Sequence, residues 1–173
     1  MKRLKLYAIL LVVGAISLTG CSTGGGNDAA PAQSSAAVVS EAPAPEEKPA
    51  DATALASALK ARIPEIAKVT AVTEATDENN LLGRPGQYVS LAWIGDKRAM
   101  PERSGIDGGA VIEVFANAED MKTRSDYIQK MLKEMGPVAG TEYHYFSGTA
   151  MLRVNGKLTP TQAKAYESAF VAE

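Results

Sequence analysis

The sequence predicts an α+β fold, a small two-layer domain with a mainly antiparallel five-stranded sheet and helices on one face. Apolar residues recur at helical spacing in three segments, and five other short segments are rich in Val, Ile, Thr and aromatic residues. Connections of hairpin length between neighbouring segments favour antiparallel pairing. The predicted order along residues 51–173 is α-β-β-β-α-β-β-α.

The first helix begins after Asp51, whose carboxylate can accept hydrogen bonds from the free N–H groups of the first turn. Leu55, Leu59 and Ile63 follow at intervals of four residues and form one apolar face. Pro64 cannot continue a helix, so we expect the helix to end just before it.

Two strands follow, at residues 66–74 and 88–94, where β-branched and aromatic residues are frequent. Trp93 lies in the second strand and is expected in the core. The segment between the strands, residues 75–87, contains Arg84-Pro85-Gly86 among several turn formers. It predicts a long loop, and long loops often carry the binding surface of a small domain.

A third strand at residues 110–115 leads into the most strongly patterned helix. Asn117 can cap this helix, with Asp120 at the third helical position in a pairing similar to a capping box. Gly136-Pro137 stops the helix. Five large apolar residues share one helical face, namely Met121, Ile128, Met131, Leu132 and Met135.

The last two strands, at residues 142–146 and 149–154, flank Ser147-Gly148 and predict a hairpin. A final helix begins at Thr159, because Thr159 and Gln162 match a capping box. The apolar face of this helix presents Ala163, Tyr166 and Phe170.

The first 21 residues differ in character from the rest of the chain. Three basic residues precede an apolar run at residues 6–18, and Leu18-Thr19-Gly20-Cys21 closes it. The run is too short for a membrane-spanning helix, which needs about 20 apolar residues, but it fits a cleaved secretory signal. These residues resemble the signal peptide and lipobox of bacterial lipoproteins.

The resemblance implies cleavage between Gly20 and Cys21, a thioether-linked diacylglycerol on Cys21, and room for an amide-linked acyl chain on the new amino terminus. Two acyl chains anchor a protein stably, whereas one binds a bilayer only marginally. Residues 1–20 are then a signal peptide, and the protein is held at the extracytoplasmic face of a cell membrane. Ser22 stands where Gram-negative lipoproteins of the inner membrane carry aspartate, which leaves the outer membrane open as a destination.

Residues 21–50 are dominated by Gly, Ala, Ser, Pro and Glu, and they predict a disordered tether because they have too few apolar side chains to offset the entropy of folding. Cleavage of the signal would remove Lys2, Arg3 and Lys5 from the 18 basic residues and nothing from the 20 acidic ones. A mildly acidic surface argues against nucleic acid as a partner and leaves the acyl chains as the attachment to the membrane.

Motifs of recognisable chemistry are scarce. The chain has one cysteine and one histidine, His144, so three protein ligands for a zinc ion are hard to assemble. The P-loop, the dinucleotide-binding glycine motif, the nucleophile elbow and the HExxH motif are absent from the sequence. We therefore predict no metal site, no cofactor and no catalytic residue of a familiar type.

Arg124 lies inside the apolar face of the second helix, where a cation needs a partner. Glu113, on the preceding strand, is the nearest candidate, and we expect a partly buried ion pair. One interpretation is structural, since such a pair fixes the docking of helix on sheet. The other is functional, with Arg124 lining a pocket beside Tyr127, Tyr143 or Arg153 and offering its guanidinium group to a carboxylate or phosphate.

The predicted loop at residues 75–87 is a second candidate surface. Leu81 and Leu82 are apolar residues outside any regular element, and they either plug the core under the loop or contribute to an exposed patch. In the second case Leu82, Arg84 and Tyr88 would form an anchor of the composition common at interfaces.

Three classes of function follow from these features. The first is a membrane-anchored binding or interaction module of the cell envelope, with an envelope protein or a small molecule as its ligand. The second is an envelope hydrolase, whose acid and base would be loop carboxylates such as Asp77, Glu78, Asp96 or Asp107. The third is a structural or inhibitory protein that acts on an envelope partner through its sheet edge or hairpin.

Overall fold

The computed structural model describes residues 50–171; the predicted signal peptide, Cys21 and nearly all of the predicted tether lie outside these residues. Three helices and five strands follow one another in the predicted order. The helices are α1 Ala52–Arg62, α2 Ala118–Met135 and α3 Pro160–Phe170. The strands are β1 Ile66–Ala71, β2 Tyr88–Asp96, β3 Gly109–Phe115, β4 Glu142–Ser147 and β5 Ala150–Asn155.

The strands form one sheet in the order β1-β2-β3-β5-β4, and every pair of neighbours is antiparallel. The predicted α+β class, with a five-stranded antiparallel sheet, is therefore confirmed. β3 occupies the centre, and all seven of its residues are buried. A strand that is covered on both faces usually has a continuous apolar sequence, and β3 has this pattern apart from Glu113.

The helices divide between the two faces of the sheet. α1 and α3 pack on the face that includes Ile112 and Leu152. α2 packs on the opposite face through Met121 and Ile128, so this helix departs from the expected placement of all helices on one face. The reason lies in β3, whose alternate side chains need cover on both sides.

The helix caps agree with the sequence patterns. The Asp51 carboxylate accepts hydrogen bonds from the N–H groups of Thr53 and Ala54, and the Asn117 side chain accepts one from Asp120. Thr159 makes the complete capping box with Gln162. Each cap satisfies N–H groups that have no partner within the helix.

The strand ends differ from the predictions by a few residues. β1 ends at Ala71, before a turn in which the Thr76 hydroxyl accepts a hydrogen bond from the N–H group of Thr73. β2 continues to Asp96, beyond its predicted end. Trp93 is only half-buried, although it was expected in the core. Among residues 50–171, no helix combines the length and the apolar character needed to cross a membrane.

Candidate functional site

α2 covers only part of its face of the sheet, and a cavity of about 230 Å³ opens beside it. The loops at residues 72–87 and 97–108 enclose the other sides. We call this space the Arg124 cavity and define it by three groups of residues: Glu113, Arg124 and Arg153 on the floor, Trp93 on the wall, and Glu78 and Asp107 at the rim.

The floor is built around a buried carboxylate. Glu113 on β3 is 1% exposed, and its Oε2 atom accepts a hydrogen bond from the Nε atom of Arg124 at 3.4 Å. The predicted pair of Glu113 and Arg124 is therefore present. A closer partner is Arg153 on β5, whose Nη1 atom lies 2.6 Å from the Glu113 Oε1 atom. The structure thus brings together Glu113, Arg124 and Arg153, a grouping that fits both the structural and the functional interpretation of Arg124.

Arg153 extends the floor into a longer chain of contacts. Its Nε and Nη2 atoms donate to the two carboxylate oxygens of Glu142 at 2.7 and 2.8 Å. His144 Nε2 lies 3.1 Å from Glu142 Oε2, and Ser125 Oγ lies 2.7 Å from His144 Nδ1. We call this chain the buried ionic network; its members in order are Arg124, Glu113, Arg153, Glu142, His144 and Ser125.

Charges in the network stabilise one another. Burial alone would raise the pKa of Glu142, but hydrogen bonds from His144 and Arg153 outweigh it and lower the pKa to about 2. Burial opposes the charge on Arg153, yet its two carboxylate partners raise its pKa above the ordinary value. The two carboxylates and two guanidinium groups therefore balance in charge within the fold.

Ser125, His144 and Glu142 form a hydrogen-bonded chain of hydroxyl, imidazole and carboxylate, the three groups that serine hydrolases also connect in this order. A nucleophilic serine also needs N–H donors for the oxyanion, and the backbone around Ser125 is in the interior of α2, where N–H groups donate within the helix. The backbone at Ser125 therefore offers no free N–H group to an oxyanion. This arrangement ties α2 to the edge strand β4, which stabilises the docking of the helix.

Arg124 is the member of the network with hydrogen-bonding capacity to spare. Its side chain is 12% exposed, and its guanidinium carbon lies 5.9 Å from the centre of the Tyr88 ring. Within residues 50–171, Nε makes the only hydrogen bond of this side chain, to Glu113. On its other side Arg124 lines a second cavity of about 330 Å³, shared with Leu81 and Tyr127. Its Nη groups are therefore placed to serve a ligand.

Asp77 fixes the loop that forms one side of the cavity. It accepts hydrogen bonds from the N–H groups of Leu81 and Leu82 at 2.8 and 2.9 Å, and from the Tyr88 hydroxyl at 2.8 Å. Although burial raises the pKa of Asp77, these bonds, with one from Asn79, hold it below the ordinary value. Asp77 is thereby engaged in shaping the loop.

The other loop carboxylates fall into two groups. Asp96 is fully buried, where the Arg98 guanidinium group and the Tyr166 hydroxyl donate to its oxygens at 2.6 and 2.7 Å. Burial raises its pKa, but these contacts lower it overall. Glu78 and Asp107 are exposed at the cavity rim. Of the four candidates for acid–base chemistry, only these two reach the cavity.

The predicted patch of Leu82, Arg84 and Tyr88 does not form as one exposed surface. Tyr88 is fully buried, and Leu82 packs against the core under the loop. Arg84 is exposed and donates to the backbone carbonyl of Asn80. Tyr143, another residue suggested beside Arg124, lies on the opposite face of the sheet.

Sequence reasoning missed Ser125 and Glu142, although Ser125 interrupts the same apolar helical face as Arg124. Trp93, which was expected in the core, packs against the core on the α2 face and also lines the cavity. Among the described residues, no group of three His, Cys, Asp or Glu side chains could hold a metal ion. Comparison with protein-family models, with curated proteins and with solved structures gives no match.

Proposed function

We propose that this chain is a lipid-anchored module of the cell envelope that binds a small ligand in the Arg124 cavity. The signal and lipobox at residues 1–21 support the anchor, and the composition of residues 22–50 supports a tether. The tether would let the domain reach a ligand away from the bilayer.

The observation that carries the binding function is the state of Arg124. Its Nε atom donates to Glu113, and its guanidinium group lies over the ring of Tyr88. Its Nη groups have no acceptor among residues 50–171. Arg153 makes three hydrogen bonds to two carboxylates, whereas Arg124 makes one within the described part of the chain, so four of the five N–H donors of Arg124 are left for a ligand. Arg124 is thus preorganised for a ligand that supplies acceptor oxygens.

A hydrolase is the weaker alternative, because Asp77 and Asp96 are already committed to hydrogen bonds within the fold. Glu78 and Asp107 remain as rim carboxylates with no basic partner in the part of the chain described. Exposed carboxylates without a nucleophile or metal give little basis for a reaction. Binding without turnover accounts for the same residues more simply.

The anchor is tested by mass spectrometry of the chain purified from membranes. We expect an amino-terminal peptide that begins at Cys21 and carries diacylglycerol, and we expect Cys21→Ala to lose membrane attachment. An unmodified Cys21 in a membrane-purified chain would contradict the anchor.

Binding is tested by incubating the full chain, in a mild detergent, with the small-molecule fraction of the envelope and identifying what is retained after gel filtration. Arg124→Gln should lose the retained molecule, and Arg84→Gln should keep it, because Arg84 lies outside the cavity. If Arg84→Gln lost the molecule and Arg124→Gln kept it, the binding site would lie in the loop at residues 72–87 instead of the cavity. No retained molecule in any variant would contradict the binding function.

A further inference from the structure

We propose that the Arg124 cavity selects a small zwitterion, an α-amino acid or a dipeptide. The ligand carboxylate would bind Arg124, and its ammonium group would lie among Glu78, Asp107 and Trp93. This inference rests on the proposed binding function and names the chemical class of the ligand.

Arg124 sets the position of the carboxylate. A guanidinium group offers parallel N–H donors that match the two oxygens of a carboxylate. Glu113 holds the Nε side of Arg124 at 3.4 Å, and the Tyr88 ring lies 5.9 Å from its guanidinium carbon. The Nη donors can therefore bind a carboxylate with little loss of side-chain entropy, since the side chain is already ordered.

The charge balance of the cavity argues against a simple anion. On the floor, Glu113 pairs with both Arg124 and Arg153, and Glu142, which lies outside the cavity, offsets the second positive charge through Arg153. The rim adds two carboxylates, and neither has a basic partner among residues 50–171. An isolated carboxylate or phosphate would bring a further negative charge toward Glu78 and Asp107, which costs energy by like-charge repulsion.

An ammonium group removes this conflict. Glu78 accepts one hydrogen bond from the Ser104 hydroxyl, and Asp107 has no hydrogen-bond donor among the described residues. Both carboxylates can therefore accept from an ammonium group at the rim. Trp93 adds an aromatic wall, and the face of an indole ring attracts cations.

The size of the cavity limits the ligand. Its volume of about 230 Å³ lies below the roughly 300–1,000 Å³ of pockets that hold drug-sized molecules. Its lining is mostly polar, which disfavours a large apolar side chain. A small amino acid or a dipeptide with small side chains fits both properties.

The chain contains a single tryptophan, so its fluorescence reports directly on the cavity. The full chain in a mild detergent would be titrated with alanine of each hand and with alanyl-alanine, followed by Trp93 emission. Propionate and propylamine serve as half-ligands that carry only one of the two charges. We expect a saturable change with a zwitterion at a concentration at least about tenfold below that needed with either half-ligand, since each half-ligand lacks one of the two charge-assisted contacts.

Variants test which residues bind the carboxylate and which bind the ammonium group of the ligand. Arg124→Gln should weaken zwitterion binding at least about tenfold. Arg124→Lys should keep only part of the affinity, because an ammonium group lacks the paired N–H donors that match a carboxylate. The double variant Glu78→Gln and Asp107→Asn should bind alanine and propionate with similar affinity. Circular dichroism of each variant, with an unchanged spectrum at the temperature of the titration and a melting temperature lowered by no more than a few degrees, separates lost binding from lost structure.

Two results would overturn the inference. Propionate that binds as tightly as alanine would mean that the rim carboxylates do not recognise an ammonium group. Failure of every zwitterion to change Trp93 emission, while the envelope fraction still yields a ligand that depends on Arg124, would refute the ligand class and leave the binding function standing. If the envelope fraction also yields nothing, the binding function fails as well.

Discussion

Arg153 holds the buried ionic network together, and its replacement by Met is the most informative perturbation of the fold. Arg153 makes three hydrogen bonds, of 2.6, 2.7 and 2.8 Å, to two carboxylates whose side chains are 1% and 7% exposed. Breaking a buried ion pair by removing one partner costs about 3–5 kcal/mol. Arg153→Met leaves Glu113 with the weaker contact to Arg124 and Glu142 with His144, so we expect a loss at the upper part of that range.

Arg124→Met is the matched control. It removes one hydrogen bond of 3.4 Å and leaves Glu113 bound to Arg153 at 2.6 Å. The expected cost is about 1 kcal/mol, which is the net contribution of an ordinary hydrogen bond. This difference separates an arginine that holds the fold together from one that is free to serve a ligand.

The assay is urea unfolding of the full chain in a mild detergent, followed by far-ultraviolet circular dichroism. A domain of this size has a total stability of about 5–15 kcal/mol, so Arg153→Met should lower the urea midpoint substantially and Arg124→Met only slightly. Arg153→Lys should fall between them, because it keeps the charge and loses the bidentate contact. Equal losses from Arg124→Met and Arg153→Met would refute this division of roles.

Three further predictions concern the fold. The pKa of Glu142 is about 2 in the fold against an ordinary 4.5, so its ionised form contributes about 3 kcal/mol of stability above pH 4.5. This stability should be lost as the pH falls from 4.5 to 2. The urea midpoint of Glu142→Gln should lack that part of the acid dependence. Gly109→Ala should cost about 3 kcal/mol in the same assay, because φ is +140° and a Cβ atom would lie 2.7 Å from Asp96 Cβ, whereas Gly140→Ala, with open space around it, should cost about 1 kcal/mol. Thr159→Ala should lower the melting temperature through a loss of about 1 kcal/mol, and an unchanged value would mean that the capping box does not stabilise α3.

Local patterns in the sequence account for most of the elements. Asp51, Asn117 and Thr159 begin their helices as expected, because a cap depends only on residues within one turn. The Ser147-Gly148 hairpin likewise follows from local turn chemistry, with Gly148 at a φ of +54°. Such features can be predicted from the sequence because the interacting groups are close to one another along the chain.

The placement of α2 and the composition of the site depend on contacts between distant residues. Arg153 lies 40 positions from Glu113 in sequence, and they meet because β3 and β5 pair in one register. Trp93 lines a cavity because α2 and the two loops leave part of the sheet uncovered. The sequence identified Arg124 as an unusual charge, while its partners and the adjacent cavity required the assembled sheet.

The central claim is that a small ligand binds at Arg124, and nuclear magnetic resonance of the full chain in detergent micelles tests it most directly. The single indole N–H signal belongs to Trp93, and the Arg124 Nε–H signal is assigned by its loss in Arg124→Gln. On addition of the envelope small-molecule fraction, we predict that both signals shift together and saturate, and that the Trp93 shift disappears in Arg124→Gln. Saturable shifts confined to Leu82 and Arg84, with Trp93 and Arg124 unchanged, would contradict the account.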